Sequence, residues 1–267
     1  MADQGRPADT RTEVAVVIPA RYGSSRFPGK PLARVGDKPL IQQVYERVRA
    51  ARGVGRIVVA TDDERIQDAV ARFGGEAVLT SDLLRTGSDR VAAVAREIPA
   101  DVYVNFQGDE IPFGPGLLED LILPFTACDA DVGTLKRTLT EERDLLDPNV
   151  VKVATDQHGD ALYFSRSPIP YRRDRKAGTG ALMRGLHWKH VGIYAFTRAA
   201  LIRFAESPSG ALEGAEQLEQ LRLLEAGVRI RVWETQHASL RVDTPADLAR
   251  AEQILTGGEP VCRNSSL

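Results

Sequence analysis

Val14-Ala15-Val16-Val17-Ile18-Pro19, followed by ARYGSSRFPGKP over residues 20–31, decides the fold. A run of β-branched and small apolar residues stopped by proline reads as a strand buried on both faces, and such strands belong to parallel sheets. The next segment holds two glycines and two prolines and must be an ordered loop at the carboxyl end of that strand. Leu40, Ile41, Val44, Tyr45 and Val48 then recur at helical spacing, with Asp37 as the N-terminal signal, and Arg56–Thr61 (RIVVAT) repeats the buried-strand pattern. The unit is βαβ, the seed of a doubly wound α/β sheet.

The alternation continues outward. A helix is predicted from Asp63 to Phe73, closed by Gly74 and Gly75, then a strand at Ala77–Thr80, a helix at Ser88–Arg96 and a strand at Asp101–Phe106. From Asp131 to Phe164 short strand-like pieces separated by turn residues predict mixed or antiparallel sheet. Residues 165–186, rich in Arg, Pro and Gly, read as a surface loop or arm. Strand returns at His187–Phe196, a short helix at Ala199–Glu206, a longer one at Leu212–Glu225, a strand at Val228–Glu234, and a last helix at Pro245–Leu255 with Pro245 at its first position. Residues 1–12 form a polar leader and residues 257–267 a tail, both expected to be disordered, around one domain spanning 13–256.

Composition narrows the classes of function. Thirty-five basic against 37 acidic residues leave a net charge of -2, no electrostatic footprint for nucleic acid. No apolar run approaches the roughly 18 residues of a membrane span, and the polar start lacks the apolar core of a secretory signal, so a cytoplasmic protein is expected. Cys128 and Cys262 have no metal-ligand spacing and read as one half-buried and one tail thiol.

The loop after the first strand is no Walker A motif, because Lys30 is followed by Pro31, and no GxGxxG fingerprint is present. Arg21, Arg26 and Lys30 within that loop suit a triphosphate at the carboxyl edge of the sheet, although a solvated basic turn would carry the same cations. Asn105-Phe106-Gln107-Gly108-Asp109-Glu110 places a carboxylate pair at the same edge, where it could hold Mg²⁺ or cap the next element. Asp243, before Thr244-Pro245 and with Asp247 in the first turn, is either a helix cap or a second metal ligand if the fold brings it beside Asp109.

Together these segments resemble the CMP-KDO synthetases, the cytidylyltransferases that activate 3-deoxy-manno-octulosonate (KDO). The resemblance rests on IPARYGSSRFPGKPL (residues 18–32), ATDD (60–63), GSDR (87–90), NFQGDE (105–110), LYFSR (162–166), HVGIY (190–194), the LExxExLEQLR pattern (212–222) and VDTPxDL (242–248). It implies a Rossmann-like nucleotidyltransferase fold with a mostly parallel doubly wound sheet. It also implies a small mixed-sheet dimerisation arm within about 131–196, a homodimer, and a cytoplasmic role in lipopolysaccharide precursor synthesis. The implied reaction joins CTP to an acidic acceptor with release of pyrophosphate. Arg21, Lys30, Asp109 and Asp243 would be catalytic, with Mg²⁺ on the two aspartates. Ala20, Arg21, Gly23, Lys30, Asp62, Ser88, Arg90 and Gln107 would bind CTP. Arg85, Gln107, Arg166, His190, Tyr194, Glu216 and Gln220 would bind the acceptor. Leu84-Arg85-Thr86 and Arg241 depart from the usual pattern on the acceptor side. The departures leave open another acid, such as 8-amino-KDO, a nonulosonate or a phosphonate like phosphonoformate. A non-catalytic nucleotide-binding subunit is the alternative from another class.

Overall fold

The structure, a computed structural model, describes residues 12–23, 27–84, 86–173 and 180–255. Residues 1–11 of the predicted leader, the predicted tail, Arg26, Arg85, Cys262 and the stretch 174–179 of the expected arm lie outside the described residues. The chain opens on β1 (Val14–Ala20), passes a 3₁₀ turn at Lys30–Leu32 and a short hairpin, β2 (Arg34–Val35) and β3 (Lys38–Pro39), and enters α1 (Leu40–Arg49). It continues through β4 (Arg56–Thr61), α2 (Glu64–Arg72), β5 (Glu76–Leu79), α3 (Gly87–Glu97) and β6 (Val102–Asn105), in the predicted alternation. The second half holds β7 (Glu110–Pro112), α4 (Gly116–Thr126), β8 (Val132–Thr138), α5 (Glu142–Leu146), β9 (Lys152–Thr155), β10 (Ala161–Ser165) and β11 (Trp188–Thr197). Then come α6 (Arg198–Glu206), α7 (Ala211–Glu216), α8 (Leu221–Glu225), β12 (Arg231–Glu234), β13 (Ser239–Arg241) and α9 (Pro245–Leu255).

Strands β6, β1, β4 and β5 are neighbours in that order and run parallel. Strand β11 lies antiparallel on the outer side of β6 and carries β8 and β9, also antiparallel, so the sheet changes character where the sequence pattern changes. The alternation in β1 shows why its residues are apolar on both faces. Val14, Val16 and Ile18 pack with Leu40, Ile41 and Val44 of α1, Ile66 and Val70 of α2, and Leu117 and Leu121 of α4. Ala15 and Val17 face the other layer, with Val91 and Val94 of α3, Leu201 and Phe204 of α6, and Leu221 of α8.

Three predicted details are corrected. Helix α1 begins after Pro39 with no side-chain cap, whereas Asp37 sits in the β2–β3 turn, where its carbonyl accepts from Arg34 Nη2 at 2.6 Å. The cap is dispensable because each buried Leu, Ile or Val contributes roughly 1.5–3 kcal/mol, against about 1 kcal/mol for a cap. The predicted helix Leu212–Glu225 is broken in two. Gln217 adopts a left-handed conformation, φ 52°, and its Nε2 donates to the Gly214 carbonyl at 2.8 Å. Arg222 then folds α8 back onto α7 through a two-pronged pair with Glu213, both contacts at 2.7 Å. Cys128 is exposed rather than half-buried.

Candidate active site

The site forms at the carboxyl ends of β1, β4 and β6, where open α/β sheets bind ligands. One of its glycines, Gly108, is required by close approach to backbone, and a second, Gly87, lies against a side-chain end. A Cβ on Gly108 would lie 2.8 Å from the Pro19 carbonyl oxygen, and one on Gly87 would lie 2.9 Å from Gln107 Nε2. The loop after β6 can therefore rest against the end of β1 and the start of α3.

Lys30, buried in its 3₁₀ turn, reaches both proposed metal ligands. Its Nζ lies 2.6 Å from Asp109 Oδ2 and 3.4 Å from Asp243 Oδ1. Asp243 is delivered by the ladder of β13 on β7, which pairs Arg241 with Glu110, and by the Val242 N–H donating to the Asp109 carbonyl at 2.8 Å. The competing role of Asp243 as the cap of α9 is filled by its neighbour. Thr244 Oγ1 accepts from the Asp247 N–H at 3.2 Å, and Asp247 Oδ2 accepts from the N–H groups of Asp243 and Thr244 at 3.0 and 2.9 Å. Arg241 adds a second cation, its Nε 3.8 Å from Asp109 Oδ2 and 3.5 Å from Asp243 Oδ2. Asp109 Oδ1 is buried and has no hydrogen-bond partner among the described residues. Beside it, burial raises the Glu110 pKa and the Asp109 charge adds to the shift, against a hydrogen bond from Ser239.

Arg21, at the end of β1, donates from Nη2 to the Leu84 carbonyl. Ala20 packs against Gly108, and Gly23 lies exposed in the loop. Arg90 is fully buried and paired with Asp62 Oδ2 at 2.5 Å, with a second bond to Thr80 Oγ1. Thr86 caps α3 in a reciprocal pair with Asp89, which gives the Thr of the unusual 84–86 segment a structural task.

From here a polar chain runs toward the antiparallel half. Gln107 Nε2 donates to Asn105 Oδ1 at 2.9 Å, Asn105 Nδ2 donates to Ser88 Oγ at 3.2 Å, and Ser88 bonds Glu219. Burial raises the Glu219 pKa despite that bond. Tyr194 Oη and Gln220 Nε2 are buried without a hydrogen-bond partner among the described residues, and burial, with Glu219 adding, holds the Tyr194 phenol well above its ordinary pKa.

The remaining proposed acceptor residues are differently placed. His190 lies buried beneath Tyr194, its Nε2 3.0 Å from Thr134 Oγ1. Arg166 donates to the carbonyls of Glu216, Pro148 and Gln217 at 2.7, 2.9 and 3.3 Å, while the Glu216 carboxylate accepts from Ser165 Oγ and the Arg166 N–H at 2.6 and 2.9 Å. These two tie α7 to the end of β10. Glu219 and Asn105 were missed as site residues. Both sit inside motifs already quoted, and only the break at Gln217 shows which carboxylate of the 212–222 segment faces Ser88.

A cation and two carboxylates converge at the carboxyl edge of a parallel sheet, and the comparisons with known proteins make the chain a nucleotidyltransferase. The cytidylyltransferase family model matches residues 15–230. The chain is 51% identical over 247 residues to the 3-deoxy-manno-octulosonate cytidylyltransferase of Geobacter sulfurreducens, covering 91% of this chain and 99% of that one. It is equally similar, at 51% over 247 residues, to the enzyme of the same name from Anaeromyxobacter, with 92% and 98% covered. A solved structure of CMP:2-keto-3-deoxy-manno-octonic acid synthetase complexed with CTP superposes with a TM-score of 0.85 at 42% identity, covering 92% of this chain and 99% of that one. The chain belongs to the 3-deoxy-manno-octulosonate cytidylyltransferase family. An inositol-1-phosphate CTP transferase from T. maritima, TM-score 0.65 at 14% identity, shares the fold.

Proposed function

We propose that this enzyme transfers CMP from CTP to 3-deoxy-manno-octulosonate, releasing pyrophosphate. The observation that carries the reading is the convergence of Lys30, Asp109 and Asp243, in a chain about half identical to named KDO cytidylyltransferases. The acceptor hydroxyl oxygen attacks the α-phosphorus. A new P–O bond forms as the bond to the bridging α–β oxygen breaks, and the electron pair leaves with pyrophosphate. Such a step needs positioning and charge neutralisation more than covalent help. Lys30 and Arg21 supply cations along the triphosphate. Asp62, Ser88, Arg90 and Gln107 line the nucleoside side, with Arg90 held by Asp62 so that its buried charge stays paired. Ala20 and Gly23 shape the loop that adjoins the phosphates. Tyr194 Oη and Gln220 Nε2, polar and buried without a partner among the described residues, would bind acceptor hydroxyls, with Gln107 between the two substrates. Arg166, Glu216 and His190 act behind them, as supports of that wall.

Magnesium fits the carboxylate pair. Asp109 Oδ1 is a buried oxygen without a partner among the described residues, the two aspartates offer hard oxygen donors, and magnesium commonly takes one or two carboxylates together with substrate phosphates. When bound, the ion would neutralise phosphate charge and lower the pKa of the attacking hydroxyl. No helix among the described residues is long and apolar enough to cross a membrane, and a cytoplasmic homodimer joined through the 131–196 arm completes the reading.

Pyrophosphate release from CTP, measured with KDO, 8-amino-KDO, a nonulosonate and phosphonoformate, tests the assignment. KDO is expected to lead, and no release with any of them would overturn it. CTP is expected to outpace ATP, GTP and UTP. Asp109→Asn and Asp243→Asn should each lower kcat by about 100-fold or more, as loss of a transition-state electrostatic group does. Because Thr244 and Asp247 cap α9, Asp243→Asn should keep its melting temperature, and wild-type turnover in that variant would count against the metal role.

A further inference from the structure

Arg241 stands where a divalent ion would be repelled. It lies on β13, two residues before Asp243, and its guanidinium lies within 4 Å of both carboxylates, which the buried Lys30 ammonium also contacts. Each of the two aspartates therefore meets two cations of the chain itself, at 2.6 and 3.8 Å for Asp109 and at 3.4 and 3.5 Å for Asp243. Lys30 has a second task on the triphosphate, whereas Arg241 has none in the reaction as derived.

We propose that Arg241 is an internal counter-cation of the carboxylate pair, which weakens the nucleotide-free enzyme's hold on divalent ions. This rests on the reading of Asp109 and Asp243 as metal ligands. A guanidinium is permanently charged and strongly suited to carboxylates, so it both satisfies their charge and repels an incoming dication. The interaction of charges falls off only as the inverse of distance, so a guanidinium 3.5–3.8 Å from Asp243 Oδ2 and Asp109 Oδ2 opposes a dication on either carboxylate, whichever oxygen that ion takes. Charge, not shape, is the operative property, and a lysine at 241 would keep much of it.

The test is a titration of Mn²⁺ into the full-length, nucleotide-free protein, read by loss of the free-ion EPR signal and needing no turnover. The neutral variants Arg241→Gln and Arg241→Met should bind Mn²⁺ about three- to tenfold more tightly than the wild type, and Arg241→Lys should stay near it. Added KCl should narrow the difference, because exposed charges are screened. Equal or weaker binding by both neutral variants overturns the proposal. Adding Asp109→Asn to Arg241→Gln separates the two readings. Loss of the tightened binding is expected, whereas tightened binding that survives in the double variant means that the ion lies elsewhere and the reading of the metal site fails.

Discussion

His190 is a buried residue whose protonation bears on stability between neutral and acidic pH. Burial, with Lys189 adding, lowers its pKa from 6.5 to about 3. Thr134 Oγ1 donates to the Ile193 carbonyl at 2.8 Å, so a neutral imidazole donates to Thr134 through Nε2. The unfolded chain takes up the proton near pH 6.5, whereas the folded chain resists until about pH 3. Stability from this residue is therefore complete above pH 6.5 and is lost as the pH falls through that window, by about 1.4 kcal/mol per unit at the steepest. His190→Gln keeps a donor for Thr134 and removes the titration. Its melting temperature should fall less steeply than the wild type's between pH 6 and 4, and identical slopes would refute the buried neutral state. HVGIY alone could mark His190 as a site residue by resemblance, but not as one facing the core.

Among the elements, the start of α2 is coupled to the phosphate loop. Asp63 caps α2 by accepting from the Arg65 N–H at 2.9 Å and grips the Arg65 guanidinium at 2.9 and 2.6 Å. That guanidinium lies 3.4 Å from the centre of the Tyr22 ring. The Tyr22 carbonyl accepts from Gly29 N–H at 2.9 Å, and Gly29, at φ 70°, leaves space for the ring where a Cβ would come within 3.2 Å. Tyr22 and Gly29 are the chain neighbours of Arg21 and Lys30, so the clasp sets two cations at once. A cation–π contact at an exposed site is worth ~0.5–1 kcal/mol, and Arg65→Ala should raise KM for CTP about threefold with kcat little changed. An unchanged KM would show the clasp to be idle. The sequence made the parallel half legible because buried strands and amphipathic helices leave strong periodic signals. The three-residue strands β7 and β13 left none, although their pairing brings Asp243 to Asp109. The break in the 212–225 segment was equally hidden, since it depends on a non-glycine residue at positive φ and on the Arg222–Glu213 pair.

At the scale of the molecule, the segment 131–196 exposes large apolar side chains, among them Leu146, Leu162, Tyr171 and Met183, with Tyr171 at 87% exposure. A second copy of the chain is the occupant expected from the family resemblance. Light scattering at micromolar concentration should give about twice the 29.2 kDa of one chain, and a mass of one chain would contradict the dimer. The β7–β13 ladder has a further consequence, for the timing of renaturation. Its side-chain bond from Ser239 to Glu110 joins residues 129 apart, and closing so long a span costs entropy before three short residue pairs return anything. The helices and the parallel strands can form from nearer contacts. After dilution from denaturant, the far-ultraviolet circular dichroism should recover first, and the ability to form pyrophosphate should follow with a lag independent of protein concentration. The enzyme would thus pass through a nearly complete architecture that is chemically silent, becoming competent only when its carboxyl-terminal segment arrives.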